Sequence, residues 1–127
     1  MTGYVELTPT IVRAFYGEAP AKTMRGYAYL KDGEPVVLWG LVREAYRWVL
    51  FLDANDGVRR YNQEWRRILA LAIRRLRPIL AELRAPVHAL ADPEIDGSCE
   101  LLAHIGFEPI NQRIYQWHRP SSSSQPR

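Results

Sequence analysis

The sequence predicts one α/β (α+β) domain with a mixed, mainly antiparallel sheet flanked by helices. Three observations carry this prediction. The chain of 127 residues suits a single domain. Its composition, 47% apolar and 24% charged, is that of an ordinary globular protein. Segments with helical periodicity alternate along the chain with short apolar or aromatic segments typical of strands.

The first element is predicted to be a helix that starts at Pro9 and ends before Gly17. Thr8 is a good N-cap, proline suits the first helical position, and glycine favours the position after a helix. Its apolar side consists of Ile11, Val12, Phe15 and Tyr16.

The segment from Arg25 to Asp53 predicts three antiparallel strands. Asp32 and Gly33 form a strong signal for a tight turn, and residues 43–47 indicate a second turn. Trp48–Leu52 is apolar on both faces, which is typical of a central strand. Residues 53–57 should break the sheet.

The second half of the chain predicts a long helix from about Tyr61 to Leu83, which Pro78 should kink or divide. Residues 86–91 indicate a parallel strand after this helix. A short helix capped by Ser98 and closed by Gly106 should follow, then a last strand over residues 113–117. We expect the domain to span residues 1–119 and the Ser-rich residues 120–127 to be disordered.

Positive charge is concentrated in one segment. Eight arginines and two glutamates lie between Arg59 and Arg84, so this segment carries +6, while the whole chain carries only +3. Because guanidinium groups bind phosphate and carboxylate in a bidentate manner, an anionic ligand is expected here. The mildly acidic remainder argues against a nucleic-acid partner, although a small nucleic-acid binder with salt-sensitive affinity stays open as a third hypothesis.

Several classes of protein are excluded or disfavoured. The single cysteine, Cys99, excludes an internal disulfide and a multi-cysteine zinc site. No apolar run reaches the roughly 18 residues of a membrane span, and Met1–Leu7 lacks the pattern of a signal peptide. We therefore expect a cytoplasmic protein with no membrane partner. The three histidines show no metal-ligand spacing, and the sequence leaves a homodimer open.

Two C-terminal segments carry a family resemblance. Ser98–Glu108, a short helix followed by Gly-Phe-Glu, and the strand Arg113–Trp117 resemble the penultimate helix and final strand of the GNAT superfamily. The strand Trp48–Leu52 and the Arg-rich turn and helix after it resemble the cofactor-binding half of these acetyl-CoA-dependent N-acetyltransferases. The segment Leu90–Pro93 is similar to small phage-encoded GNAT-like proteins.

The resemblance covers residues 5–117 and implies both a fold and a function. The fold would be a GNAT-like mixed sheet, and the reaction would transfer an acetyl group from acetyl-CoA to an amine. The acceptor amine would belong to a small molecule or a protein. No covalent enzyme intermediate is needed for such a reaction, because the amine attacks the thioester directly.

The sequence departs from the family pattern at two places. The family's phosphate-binding loop, Gln/Arg-x-x-Gly-x-Gly/Ala, corresponds to Arg59–Trp65, which contains no glycine. Glycines there let backbone donors approach the pyrophosphate closely. The tyrosine that serves many members as general acid corresponds to Leu102. These departures favour the alternative that the GNAT-like fold acts as a non-catalytic binding or assembly module, for instance in a phage.

The resemblance also assigns candidate site residues. Leu52 and Asp53 would lie beside the acyl arm of the cofactor, at the end of the central strand. The start of the long helix would hold the pyrophosphate, through Arg59, Arg60, Tyr61 and Asn62. Asp53 and Asp92 are the candidate bases for the acceptor amine. The structural alternatives are a turn or cap role for Asp53 and an N-cap role for Asp92.

Overall fold

The computed structural model describes residues 2–55, 57–58, 62–90, 98–110 and 114–117. These residues form a seven-stranded sheet with helices on both faces. The elements in chain order are β1 (Gly3–Glu6), α1 (Pro9–Tyr16), β2 (Met24–Lys31), β3 (Glu34–Glu44), β4 (Arg47–Ala54), α2 (Gln63–Glu82), β5 (Val87–Leu90), α3 (Ser98–Ile105), β6 (Phe107–Pro109) and β7 (Ile114–Trp117).

The strand order is β1-β2-β3-β4-β5-β7-β6, and the β4–β5 pair is parallel whereas the other neighbouring pairs are antiparallel. The predicted mixed, mainly antiparallel sheet is therefore confirmed. The sequence does not predict β1 and β6, which are four and three residues long and form the two edges of the sheet. The predicted boundary at residue 119 lies outside the described residues.

Helix α1 forms where the sequence predicts it because both of its ends are capped. The Thr8 hydroxyl accepts a hydrogen bond from the Ile11 N–H at 3.2 Å. Gly17 follows the helix with a φ of 88°, a left-handed conformation that favours glycine. The helix packs on one face of the sheet over a small core of Val12, Ala28 and Leu38.

Two tight hairpins join β2, β3 and β4. Asp32 and Gly33 have φ values of 53° and 85°, as a two-residue type I′ turn requires. The second turn is shorter than predicted, because pairing continues to Glu44 and Arg47. Only two residues remain between the strands, and the first of them, Ala45, has a φ of 44°.

Strand β4 ends two residues later than predicted, so Asp53 lies inside the strand and is neither a turn nor a cap residue. Asn55 accounts for the end of the strand. Its side-chain oxygen accepts a hydrogen bond from the Gly57 N–H at 2.7 Å, and its side-chain nitrogen donates to the Pro35 carbonyl at 3.1 Å. These bonds form a turn that interrupts the extended backbone of the strand.

Helix α2 runs from Gln63 to Glu82 as one helix, so Pro78, which was predicted to kink or divide it, does not divide it. Pro78 lies on the exposed side of the helix, where the carbonyl group that it leaves unpaired can bind water. The opposite side packs against the sheet through Trp65, Ile68, Ala72, Leu76 and Leu80. In the described part of the chain, no helix is long and apolar enough to cross a membrane.

Helices α2 and α3 share the face of the sheet opposite to α1. Residues of both helices belong to the larger apolar core, which also contains Trp39 and Leu41 of β3. The Arg77 guanidinium links the helices by donating to the His104 carbonyl at 2.8 Å. Successive residues of β4 therefore point to opposite faces of the sheet. Leu52 packs against the larger core, under α2 and α3, and Phe51 packs against the smaller core, under α1.

Candidate functional site

The sheet opens at the carboxyl end of β4. Strand β5 pairs with β4 only over Trp48–Leu50, whereas β3 pairs with β4 as far as Ala54. Among the described residues, positions 51–54 therefore have no strand beside them on the β5 side. Backbone groups at such a position can pair with a ligand, and open α/β sheets bind ligands at the carboxyl ends of their strands.

Asp53 and Tyr16 meet at this end of the sheet. Tyr16, the last residue of α1, donates its hydroxyl hydrogen to Oδ2 of Asp53. Asp53 is exposed, and in the described part of the chain its Oδ1 has no hydrogen-bond or ion-pair partner. Tyr16 is 41% exposed. The pair therefore presents a carboxylate oxygen and a phenol oxygen to any molecule that approaches the open end of β4.

The Tyr16 hydroxyl is held in its protonated form. Burial raises the pKa of Tyr16 well above its ordinary value of 10.0, and the hydrogen bond to Asp53 and its negative charge act in the same direction. The phenol consequently remains a donor to Asp53 at neutral pH. One carboxylate oxygen thus accepts the phenol hydrogen, and the lone pairs of the other can accept a hydrogen bond or a proton.

Leu52, the neighbouring predicted site residue, has a different role in the structure. Its side chain packs against the α2 core, on the opposite face of the sheet from Asp53. Its backbone belongs to the part of β4 that β5 does not cover. Any contact of Leu52 with a ligand at this part of β4 would therefore be a backbone contact.

Asn62 is the N-cap of α2. Its Oδ1 accepts a hydrogen bond from the Trp65 N–H at 2.8 Å, and its carbonyl accepts the first intrahelical bond, from Arg66, at 3.1 Å. Within the described residues, the N–H groups of Gln63 and Glu64 have no partner. Such free amides at a helix N-terminus, together with the helix dipole, favour an anion.

The acidic side chain in the first turn of α2 does not take the place of such an anion. The Glu64 carboxylate accepts hydrogen bonds from the Tyr29 hydroxyl at 3.0 Å and from Lys31 Nζ at 3.4 Å. Burial, followed by the hydrogen bond and charge of Glu64, raises the pKa of Tyr29. Glu64 therefore joins the start of α2 to β2, and both of its oxygens are engaged on the sheet side.

Four predicted site residues, Arg59, Arg60, Tyr61 and Asp92, lie outside the described residues. Leu102, which the sequence resemblance aligns with the general-acid tyrosine of many GNAT proteins, is buried in the core with 6% of its surface exposed. Tyr16 is the site residue that the sequence analysis missed. Its place on the apolar side of α1 concealed it, because a helix-terminal tyrosine can bury its ring and still expose its hydroxyl.

His88 of β5 lies on the face of the sheet that α1 partly covers. It is paired with Val49 of β4 on one side and with Gln116 of β7 on the other. Burial, and to a smaller extent the charge of Arg47, lowers its pKa from 6.5. Its Nδ1 is buried and has no hydrogen-bond partner in the described part of the chain. In the same part, no three His, Cys, Asp or Glu side chains are grouped to hold a metal ion.

A surface cleft of about 460 Å³ lies at the other end of the sheet, lined by residues 83–87, Gln116 and Trp117. It adjoins the first residue of β5 and the last residue of β7, whereas Asp53 lies near the last residue of β4. The cleft is therefore separate from the Asp53–Tyr16 pair. Its lining is mainly apolar, and no cluster of catalytic groups from the described residues converges on it.

Comparison with solved structures finds several chains with a similar fold, including the following three. A crystal structure of an acyl-CoA N-acyltransferase from Pseudomonas aeruginosa aligns with a TM-score of 0.62 and 10% identity over 93% of this chain and 100% of that chain. Escherichia coli ElaA aligns with a TM-score of 0.58 and 11% identity over 91% and 97%. An acetyltransferase from Agrobacterium tumefaciens aligns with a TM-score of 0.52 and 15% identity over 87% and 67%.

The sequence matches no protein-family model and no curated protein. At identities of 10–15% the structural likeness concerns the fold. It extends over almost the whole length of the first two structures. The chain therefore has the fold of the GNAT acetyltransferases.

Proposed function

We propose that this protein is an acyltransferase that transfers an acetyl group from acetyl-CoA to an amine at the carboxyl end of β4. The observation that carries the proposal is the Asp53–Tyr16 pair, which lies where the pairing of β4 with β5 stops. The fold supports the reaction class, since one of the similar structures is an acyl-CoA N-acyltransferase.

The residues around the start of α2 fit the phosphate groups of acetyl-CoA. The free N–H groups of Gln63 and Glu64 would donate to the pyrophosphate. Asn62 would act indirectly, because its side chain is engaged in capping and thereby holds the first turn in place. Arg59 and Arg60 would add guanidinium donors, with Tyr61 beside them in the sequence. The backbone of Leu52 and Asp53 would pair with the acyl arm.

The proposed reaction needs a base and a fixed geometry. Acetyl-CoA supplies the thioester, in which the amine nitrogen forms the new C–N bond while the C–S bond breaks. Oδ1 of Asp53 accepts the proton that the ammonium group must lose before attack. The Tyr16 hydroxyl holds the carboxylate through Oδ2 and keeps it aimed at the open end of the strand. Asp92 would serve as a second group that orients the amine.

The leaving thiolate has no acid at the position where the family has its tyrosine, because Leu102 is buried there. Because the conjugate thiol has an ordinary pKa of about 8.5, the thiolate can instead take its proton from water. The net reaction then releases the free thiol of CoA, the acetylated amine and one proton. The proposal therefore does not depend on a replacement for the missing tyrosine.

A second candidate is a non-catalytic module that uses the GNAT fold to bind a protein partner, with assembly of a phage as one hypothetical setting. The burial of Leu102 and the absence of glycine from residues 59–65 favour it. Under this hypothesis the Asp53–Tyr16 pair would join α1 to the sheet and have no chemical role. The two candidates differ most directly in whether the chain binds CoA.

Calorimetric titration with CoA and acetyl-CoA tests the binding step. We expect micromolar affinity, and we expect Arg59→Ala with Arg60→Ala to weaken it at least several-fold, and more at low salt. The matched control is Arg74→Ala with Arg75→Ala, which removes the same charge further along α2 and should change the affinity little. If neither compound binds to the unaltered protein, the non-catalytic module becomes the better explanation.

Release of the CoA thiol in the presence of a panel of primary amines tests the chemical step. Asp53→Asn keeps the shape of the side chain but removes the base, so the rate should fall about 100-fold with little change in affinity for acetyl-CoA. Tyr16→Phe should have a smaller effect on the same rate. If the Asp53→Asn variant acetylates amines as fast as the unaltered protein, the reaction class would stand, but Asp53 would not be its base.

A further inference from the structure

The outward face of α2 carries arginines and no acidic residue. A helix turns by about 100° per residue, which places Arg66, Arg67, Arg74 and Arg77 within one arc of about 100°. Only Gln63, Ala70 and Ala81 share this arc. All seven residues are exposed. We call this set of residues the arginine face.

The two acidic residues of α2 lie outside the arginine face and are already paired. Glu64 binds Tyr29 and Lys31 of β2, and Glu82 forms an ion pair with Arg25 at 3.5 Å. Arg75 also lies outside the face, over the Tyr27 ring at 4.8 Å. The acidic side chains of the helix therefore pair on the sheet side, and no acidic side chain of the described residues pairs with the arginine face.

The fold itself does not account for the arginine face. Among the described residues, the side chains of Arg66, Arg67 and Arg74 make no hydrogen bond or ion pair, and the Arg77 guanidinium donates only to the His104 carbonyl. Arg66 and Arg67 also lie close to the helix N-terminus, where the helix dipole disfavours positive charge. Charges that repel one another and oppose the dipole indicate a partner that supplies the opposite charge.

The dimensions of the arginine face indicate what kind of anion fits it. Arg66 and Arg77 are eleven residues apart in the sequence, which corresponds to about 16 Å along the helix axis at a rise of roughly 1.5 Å per residue. A single pyrophosphate is too short to reach both. The small side chains of Ala70 and Ala81 leave room between the guanidinium groups, so a long chain of phosphates can approach the helix closely.

We propose that the arginine face binds the phosphate backbone of double-stranded nucleic acid without regard to base sequence. Proteins that bind single strands stack the bases on aromatic side chains, and the arginine face contains none. It also lacks the large apolar side chains with which a helix enters a lipid surface. Contacts to phosphate alone suit a duplex, in which phosphates are regularly spaced and the bases are already stacked. This proposal does not depend on the acyl-transfer proposal.

Fluorescence anisotropy with a short labelled DNA duplex of mixed sequence, repeated at several salt concentrations, tests the proposal. Each phosphate contact contributes about −0.9 to the slope of log K against log salt concentration. With four arginines in contact, the expected slope is about −3 to −4. Arg67→Gln with Arg74→Gln should weaken binding at least about tenfold at low salt and make the slope shallower by about two.

The control variant is Arg13→Gln with Lys22→Gln, which removes the same charge from exposed positions that do not contact α2 and should bind nearly as well as the unaltered protein. Equal losses in the two variants would overturn the proposal, because they would indicate attraction by net charge alone. Tighter binding to a single strand of the same length would overturn the choice of a duplex, and equal binding to phosphatidylserine vesicles would overturn nucleic acid as the partner. Duplex RNA in place of DNA distinguishes the two sources of the same backbone chemistry.

Discussion

The two halves of the sheet are built in different ways. Strands β2, β3 and β4 are 8 to 11 residues long, and two-residue turns join them, so their register is determined locally. Strands β5, β6 and β7 are only three or four residues long. They join the first half through three residue pairs between β4 and β5. The second half therefore depends on its packing against α2 and α3.

This difference explains where the candidate site lies. Within the described residues β5 pairs with β4 only as far as Leu50, so the last four residues of β4 have a partner strand there on only one side. The long first half contributes Asp53, and α1, which packs on that half, contributes Tyr16. The candidate site thus consists of residues from the well-paired half, at its boundary with the less extensively paired one.

The largest loss of stability is expected from a substitution in the first half of the sheet, at Gly40. A Cβ atom there would overlap the Arg25 carbonyl oxygen and would lie 2.7 Å from the Gly26 Cα. Both are backbone atoms of the adjacent strand, so Gly40→Ala must separate β2 from β3. We expect a loss of about 3–5 kcal/mol in the free energy of unfolding, measured by urea denaturation.

Gly17→Ala is the matched control for this substitution. Gly17 also has a positive φ, but a Cβ atom there would meet nothing within 4 Å, so it should cost only about 1 kcal/mol. Similar losses at Gly17 and Gly40 would show that the close approach of the two strands contributes little to the stability of the first half.

The next largest effect is expected in the second half, at Gly106. Its φ of 125° fits the predicted need for glycine after α3, and a Cβ atom would lie 2.6 Å from Cζ3 of Trp117. Gly106→Val should therefore cost about 2 kcal/mol, less than Gly40→Ala, because the Trp117 ring can move whereas a strand backbone cannot. A valine variant with an unchanged unfolding midpoint would show that α3 and β7 are not held together as tightly as this contact indicates.

Local sequence signals predicted most of the first half of the fold. Thr8, Pro9 and Gly17 marked the ends of α1, and Asp32 and Gly33 marked the first hairpin. These signals work because turns and caps depend on a few adjacent residues. The edge strands β1 and β6 were not predicted. Strands β5 and β7 are about as short, but β5 was recognised as an apolar run that follows a long helix, and β1 and β6 offered no comparable signal.

The candidate site could be predicted only in part, because its central contact is not local. Asp53 was identified from its place after an apolar strand, but Tyr16 lies 37 residues away from it. The pattern of α1 indicated only that Tyr16 belongs to an apolar side. Only the packing of α1 on the sheet brings its hydroxyl to the carboxylate. The positive end of the helix dipole at the start of α2 was expected from the sequence. The hydrogen bonds that Tyr29 and Lys31 donate to Glu64 were not.

A smaller effect, dependent on pH, is expected at the junction of the two halves. The folded protein lowers the pKa of His88 below its ordinary 6.5, mainly through burial, so protonation favours the unfolded chain. The contribution of His88 to the free energy of unfolding should therefore be fully present above pH 6.5 and should be lost as the pH falls through the folded-state pKa. Because His88 is partly exposed to solvent, we expect a change of less than about 1 kcal/mol.

Denaturation of the unaltered protein and of His88→Gln at about pH 7.5 and pH 5 measures this effect, and the variant should lose most of the difference. Glu44, whose pKa is lowered from 4.5 by hydrogen bonds from Lys22 and Arg47, acts only at more acidic pH and does not interfere. If the stability of the variant depended on pH as strongly as that of the parent, His88 would not be the group responsible.

The smallest effect is expected at the second hairpin, where a substitution should stabilise the protein. Ala45 has a φ of 44°, a conformation that costs a residue with a Cβ atom about 1 kcal/mol or more. Ala45→Gly removes this cost but adds freedom to the unfolded chain, so we expect a net gain of about 0.5 kcal/mol. Asp32→Gly is the matched control in the first hairpin. Its φ of 53° is similar, but aspartate tolerates this conformation better, so its gain should be smaller.

Folding and unfolding rates should also differ between substitutions in the two halves of the sheet. If local turns organise the first half early, Ala45→Gly should speed folding and leave unfolding nearly unchanged. Gly106→Val, in the half that depends on distant packing, should mainly speed unfolding. Stopped-flow measurements in urea distinguish these responses. The opposite assignment, with Ala45→Gly acting on unfolding and Gly106→Val on folding, would mean that the helices and short strands of the second half form before the hairpins do.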